Sequence, residues 1–509
     1  MRRECRQETR TGGATVGAAC LLALAAAAVR WVLVRTSYAA HAHWEEPVFL
    51  FGSVELARRG LSAIWDYQDD LAHGGSLPLL LLGTLWVRWF GPSILALKGI
   101  AVAWSSVAFF VLLLAVRRAW NGNAALLCGV FLLGLSPNLA RLQATLVGSH
   151  PEALLPAAAA LRVFAAQGGG QTRRVAPCLL FGFFAATAAW MSLTFVPWMA
   201  SLALLWPFSP RRRPSSLAGL VAGGALGALP WVYQNLYLRP HGATLWLRRL
   251  RGHAPRLPSG GAHAEWGTLG FFPESWGLGH AGVPLTIVLL LAFFVLAGAV
   301  VFDRDLPPER RRFAAALLLG TLLAAVSLRA LPLSPEPNEG YYFARFFVAL
   351  QVQLLCTAAL AAEWLANRLG NALRVLFAAA AVAMGALFLA PLFGTGGQVP
   401  PVEVLLRRGC LVFGIAEYAR AGEPERAVTR LLSLGDRDCS EMACIGLGWA
   451  LTDEYLRYRT ATGARRALER AGGTACRKRI CGGIRFVLDR RLPRSEPRTL
   501  PPEVQEYCR

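Results

Sequence analysis

The chain has 509 residues, 55% of them hydrophobic and only 16% charged, with a mean hydropathy of +0.42, which is more apolar surface than one soluble core can bury and places it in the membrane class. Its net charge of +21 is nearly all Arg, with Lys only at Lys98 and Lys478. Those arginines sit in short clusters beside apolar runs, the pattern that sets membrane orientation, so the contiguous basic stripe of a nucleic-acid-binding surface is excluded.

In chain order, a basic stretch, Met1 to Arg10, precedes an apolar run from Ala14 to Val34 that carries Arg30. Two readings compete: an uncleaved first span, or a signal peptide cut near Ala40-His41-Ala42. The run is long for a signal segment, which favours the span; either way the next loop lies on the same side. In that loop Pro47 to Gly60 reads as an amphipathic helix, with Val48, Phe51, Val54 and Leu56 set against Ser53, Glu55, Arg58 and Arg59. Leu77 to Phe90 is apolar but short, and reads as an interfacial or re-entrant helix.

Further spans of roughly 20 apolar residues are expected at 93–116, 123–139, 151–164, 176–191, 194–208, 217–236, 283–302, 313–331, 343–364 and 373–393. With the first, they make about 11 crossings. If the N-terminus is cytoplasmic, every inner connection is basic: Arg117-Arg118, Arg173-Arg174, Arg211 to Arg213, Arg304 with Arg310 to Arg312, and Arg368 with Arg374. The outer connections hold the groups able to do chemistry: Glu45, Glu46, Asp66, Asp69 and Asp70, then His150 and Glu152, then His263, Glu265, Glu274 and His280, then Glu336 and Glu339. One outer loop, Tyr237 to His253, is basic, and anionic headgroups are the partner its composition fits.

An odd number of crossings leaves residues 394–509 outside, as a small helical domain with helices expected at Val402 to Arg420, Glu423 to Leu434 and Met442 to Arg459. One helix pair faintly resembles a tetratricopeptide unit, but one unit makes no array. Cys410, Cys439, Cys444, Cys476, Cys481 and Cys508 all fall in this tail. An even number of cysteines in one extracytoplasmic segment reads as disulfides of unassigned pairing. Zinc is the alternative, against which stands the absence of any His after His280.

The expected fold is therefore all-α: a polytopic transmembrane helical bundle over 1–393, with interfacial helices in its first outer loop, and a disulfide-containing extracytoplasmic domain over 394–509. The Ala-, Gly- and Arg-rich composition suits a GC-rich bacterial gene. That makes the membrane a bacterial inner membrane and the outer compartment a periplasm.

Trp44-Glu45-Glu46-Pro47, the helix ending at Gly60, and the segment from Leu77-Pro78 to Phe90-Gly91 follow one another as in the membrane glycosyltransferases of the GT-C type. The chain resembles in particular the family 39-like branch of protein O-mannosyltransferases and aminoarabinose transferases. Ser149-His150-Pro151-Glu152 occupies the place of that branch's second acidic motif, with His150 where an Asp is expected. Asn338 to Arg345 resembles its late outer loop.

The resemblance implies a sugar donor carried on a polyprenyl phosphate and an acceptor hydroxyl on an envelope glycan, lipid or protein, with membrane lipids as further partners. It implies Glu45 as general base with Glu46 perturbing it, His150 and Glu152 orienting the acceptor, and Arg345 with Tyr341 and Tyr342 holding the lipid phosphate. Glu45, His150 and Glu152 are also a candidate ligand set for Mg or Mn, although the missing Asp departs from the family's pattern. Each group has a plainer reading: solvated glutamates, a histidine in a turn, an arginine reaching to the interface. Lys98 and Arg162 snorkel if shallow and become functional candidates if deep. A lapsed scaffold or a transporter of lipid-linked sugar is the alternative function. Transport predicts mid-membrane polar groups in two matched halves, which the sequence lacks.

Overall fold

The structure, a computed structural model, describes residues 2–35, 45–60, 77–135, 137–145, 150–167, 175–206, 213–233, 283–330, 345–389, 402–421, 423–434, 437–458, 461–491 and 502–508. The regular secondary structure of the described residues is helical, with no strand among them. In order the helices are α1 Arg2–Leu33, α2 Glu45–Arg59, α3 Leu77–Phe90, α4 Ile94–Ala119, α5 Gly122–Gly134, α6 Pro137–Gln143, α7 Leu154–Ala166, α8 Ala176–Met191, α9 Val196–Leu204 and α10 Arg213–Val232. They continue as α11 Val283–Phe302, α12 Pro308–Ala330, α13 Val348–Leu369, α14 Asn371–Leu389, α15 Val402–Ala421, α16 Pro424–Leu432, α17 Arg437–Tyr458, α18 Thr462–Ala471, α19 Ala475–Arg491 and α20 Pro502–Cys508. Tyr341, Tyr342, Asp66, Asp69, Asp70, Arg173, Arg174, His263, Glu265, Glu274, His280, Glu336, Glu339 and the basic loop from Tyr237 lie outside the described residues.

Each expected span has a helical counterpart, and among the described residues five helical segments are long and apolar enough to cross a bilayer: Ala14–Leu33, Ile94–Ala119, Pro214–Val232, Pro308–Arg329 and Arg345–Leu369. The chain is an integral membrane protein. One expected boundary moves, and the expected break between 191 and 194 is kept. The run 123–139 divides after Gly134, because a residue before proline disfavours helical backbone and Pro137 opens the separate α6. The break between α8 and α9 falls at Ser192, whose backbone is extended, with a single 3-10 turn, Leu193–Phe195, leading into Val196-Pro197.

The chain forms two compact units. The first contains α1, α4 from Lys98 onward, and α5 to α14. Its centre is α13: 89% of that span is buried, against 22% for α10. Helices α5, α12 and α14 pack around α13, and α9 packs on α12. Large apolar side chains such as Val221, Leu291, Val295 and Val326 point outward, 62% exposed or more, as they would toward lipid.

Contacts gather several of the connections at each end of the bundle. At one end, the turn at His150, Ser192 and the start of α13 come together. At the other, Asn121 donates to Glu363 at 3.0 Å, the Arg310 guanidinium lies 5.7 Å from the Trp120 ring, and the Trp364 indole donates to Asp303 at 2.6 Å.

The second unit groups α2 and α3 with α15 to α20, so the tail packs with the two helices that follow α1 in sequence. Helix α2 is packed on two sides. Gly83 of α3 lies against Ser53, and Gly409 of α15 against the Pro47 carbonyl, both close enough that a Cβ at either glycine would collide. Phe49, Leu50, Phe51, Val54 and Leu56 are each at most 7% exposed. Phe51 also meets Phe413 of α15, ring centroids 5.1 Å apart.

Three consecutive disulfides run through the tail: Cys410–Cys439 joins α15 to α17, Cys444–Cys476 joins α17 to α19, and Cys481–Cys508 joins α19 to α20. They replace the zinc alternative. Between them α17 uses opposite small-residue faces, Gly446 against Leu411 and Gly448 against Ile480. Three helices beyond those expected from the sequence, α18, α19 and α20, complete the domain. The small residues Ala464, Ala467 and Ala471 are enough to bury α18 in its core.

Candidate functional site

In the first unit a buried polar cluster forms where three connections meet. His150 occupies the turn between α6 and α7 and is 4% exposed. Its Nδ1 pairs with the Ser192 hydroxyl at 2.7 Å, and that hydroxyl pairs with Thr194 Oγ1 at 2.8 Å. The extended backbone at Ser192, in the gap between two apolar helices, is what makes its hydroxyl available to His150 rather than to a carbonyl one turn back.

The imidazole meets the Phe346 ring edge-on, centroids 5.0 Å apart, and the Arg345 guanidinium lies 4.7 Å from the same ring. Phe346 thus joins His150 to Arg345. The arrangement holds the guanidinium against the ring by cation–π attraction. Glu152 is 4% exposed, and its main-chain carbonyl accepts from the Trp104 indole at 2.9 Å, fixing the turn to α4.

Of the residues singled out from sequence, His150, Glu152 and Arg345 therefore belong to one region. The sequence reading missed Ser192, Thr194, Trp104 and Phe346. Ser192 and Thr194 left a signal, a polar pair interrupting an apolar stretch between two spans; Trp104 and Phe346 left none that distinguishes them from other aromatics in spans.

Glu45 and Glu46 open α2 in the second unit, and Glu46 is completely buried. An adjacent carboxylate pair in which one member is buried is not a pair of solvated surface groups. Lys98 is completely buried as well, which removes the snorkelling reading, while Arg162 is partly exposed. Arg30 is 4% exposed, donates to Ser106 at 3.3 Å and lies 5.7 Å from the Phe109 ring. Among the described residues no group of three or more His, Cys, Asp or Glu has metal-site geometry.

No protein-family model matches the chain, and a search of curated proteins finds no match. Among solved structures, ArnT from Cupriavidus metallidurans bound to undecaprenyl phosphate is similar with a TM-score of 0.49 and 14% identity, covering 97% of this chain and 84% of that one. The same protein in the apo state gives a TM-score of 0.47 at 14% identity, over 97% and 85%. The apo Archaeoglobus fulgidus oligosaccharyltransferase gives 0.44 at 12% identity, over 87% of this chain and 59% of that one. Likenesses at these scores carry none of the functional argument.

Proposed function

We propose that this integral membrane protein is a glycosyltransferase that moves a sugar from a polyprenyl-phosphate donor to an acceptor hydroxyl on the outer face of a bacterial inner membrane. The observation that carries the reading is the meeting of His150 and Arg345 on Phe346, with Glu152 in the same turn as His150, at one end of a lipid-embedded bundle. A headgroup phosphate at that depth needs a permanently charged, multidentate donor, and a guanidinium is the side chain that supplies both.

In the proposed reaction the acceptor oxygen attacks the anomeric carbon and its proton passes to a carboxylate. The bond from the anomeric carbon to the phosphate oxygen breaks, and polyprenyl phosphate leaves with the electron pair. A single displacement inverts the anomeric centre. Arg345 stabilises the charge that grows on the leaving phosphate, and Tyr341 and Tyr342 are assigned to the same phosphate. Glu45 is the base, its basicity raised by the adjacent buried Glu46; sequence order and that burial support the assignment. His150, held by Ser192, orients the acceptor, and Glu152 supports it. The outward location of the tail is supported by its disulfides, which persist in an oxidising compartment.

The test is purified protein in lipid nanodiscs given a panel of polyprenyl-phosphate pentoses and hexoses. Release of polyprenyl phosphate is expected, with sugar on water or on an added acceptor. Movement of intact donor across a bilayer without cleavage would instead establish a transporter.

A further inference from the structure

At the end of the first unit opposite His150, helices α4, α7 and α12 enclose a second cavity that the proposed reaction does not use. It measures about 240 Å³ and is lined by Arg118, Trp120, Phe164, Glu309, Arg310 and Arg312. Helix α7 separates the two regions: it starts beside His150 and ends at the cavity with Phe164 and Ala165, and its 13 residues span about 20 Å.

Three guanidinium groups against one carboxylate leave the lining cationic. Arg117 and Arg118 also act electrostatically on Arg162 of α7, so the positive field extends along the wall. Two of the guanidinium groups are held by aromatic faces: Arg310 is 5.7 Å from the Trp120 ring, and Arg312 is 5.6 Å from the Phe164 ring. Arg312 also donates to the Gln167 carbonyl, at a long 3.4 Å.

The cavity wall contains donors with nothing to bond. Trp120 is 4% exposed, and its indole N–H has no hydrogen-bond acceptor. The Nε–H of Arg312 is buried in the same condition. A buried donor normally has a partner, and two without one on a single cavity indicate an anion or solvent that belongs there. A volume equal to about eight waters admits a phosphodiester.

We infer that this cavity binds the phosphate-bearing headgroup of an anionic phospholipid from the leaflet at the arginine-rich end of the spans. Three features select a lipid rather than a free ion. The cavity is bounded by the ends of apolar helices, it sets Trp and Phe beside its guanidinium groups, and it is partly open rather than sealed. Basic pockets between helix ends in this position suit phospholipid headgroups.

The experiment compares nanodiscs of phosphatidylcholine with and without phosphatidylglycerol, reading the melting temperature, and native mass spectrometry, reading retained phospholipid. The protein is expected to melt higher with phosphatidylglycerol and to keep a bound copy after detergent exchange. Arg310→Gln/Arg312→Gln should weaken that retention at least about tenfold, since hydrogen bonds to a charged group are removed. Arg407→Gln/Arg408→Gln, which deletes equal charge from exposed positions of α15, should not. If the first double variant fails to fold, Trp120→Phe is read in its place, because it keeps the ring under Arg310 and removes only the N–H. Equal stabilisation by inorganic phosphate in phosphatidylcholine would assign the cavity to a soluble anion and overturn the lipid assignment. So would an absence of phosphatidylglycerol dependence in the unmodified protein, or an unchanged dependence in the cavity variants.

Discussion

Replacing both Cys444 and Cys476 by Ala removes the middle staple of the tail. Its sulfurs close a loop of 32 residues, and releasing that constraint returns about 3.7 kcal/mol of entropy to the denatured chain at 25 °C. Both half-cystines are buried, at 0% and 3% exposure, so the variant also loses packing. The loss corresponds to about 500-fold faster exchange of those amides of α17 and α19 that exchange by unfolding of the tail. The melting temperature of a unit this size should fall by about 7–15 °C. Hydrogen exchange with mass spectrometry on the full chain in detergent reads the two helices separately from the spans. Unchanged exchange would refute the reasoning. So would rapid maleimide labelling of Cys444 or Cys476 in protein taken from the membrane without reductant, since it would place the tail in a reducing compartment.

Arg374→Ala strips the side chain that binds Glu363 at 2.6 and 3.0 Å, leaving a carboxylate only 1% exposed with Asn121 but no cation; a loss of 3–5 kcal/mol is expected, about the cost of breaking a buried pair, and Glu363→Gln in the same chain should restore part of it. Thermal unfolding in detergent reads both variants. Ser192→Ala removes the hydroxyl that holds His150 and should lower kcat/KM for transfer by about tenfold to a hundredfold, whereas Ser192→Thr should retain most of it. Equal activity in all three proteins would remove His150 from the site.

Hydrogen bonding from Trp364, helped by the neighbouring Asp305 N–H and Arg368, holds the Asp303 carboxyl below its usual 3.8. Its folded-state contribution is therefore complete above 3.8 and fades as pH falls through the lower folded value. Asp303→Asn should lower the melting temperature by the same amount at about pH 7 and about pH 5; a difference that closes between them would contradict this.

The helical spans were legible in the sequence because a bilayer demands long apolar runs and writes sidedness in arginine. Where two helices were run together, over 123–139, the cause was local: Pro137 opens a separate helix without ending the apolar pattern. In the tail, α18 escaped notice because its buried face is alanine, which carries little hydrophobic signal. The number of disulfides followed from composition, but their pairing is set by which helices pack, and α17 had to be seen between α15 and α19.

His150, Glu152 and Arg345 were legible as residue types standing at the ends of helices. That Phe346 joins two of them could not be read from a sequence containing 26 phenylalanines. The basic cavity stood in the sequence only as clusters of orientation-setting arginines. Its aromatic wall and unpaired donors exist only once α4, α7 and α12 are brought together.

Glu45→Gln tests the central claim most directly, measured beside Arg345→Ala as release of polyprenyl phosphate from a polyprenyl-phosphate sugar in nanodiscs. Loss of the base with retained donor binding is expected for Glu45→Gln, seen as a fall of at least about a hundredfold in kcat at nearly constant KM. Loss of the phosphate ligand should instead raise KM and lower kcat together for Arg345→Ala. Full turnover by Glu45→Gln would contradict the account.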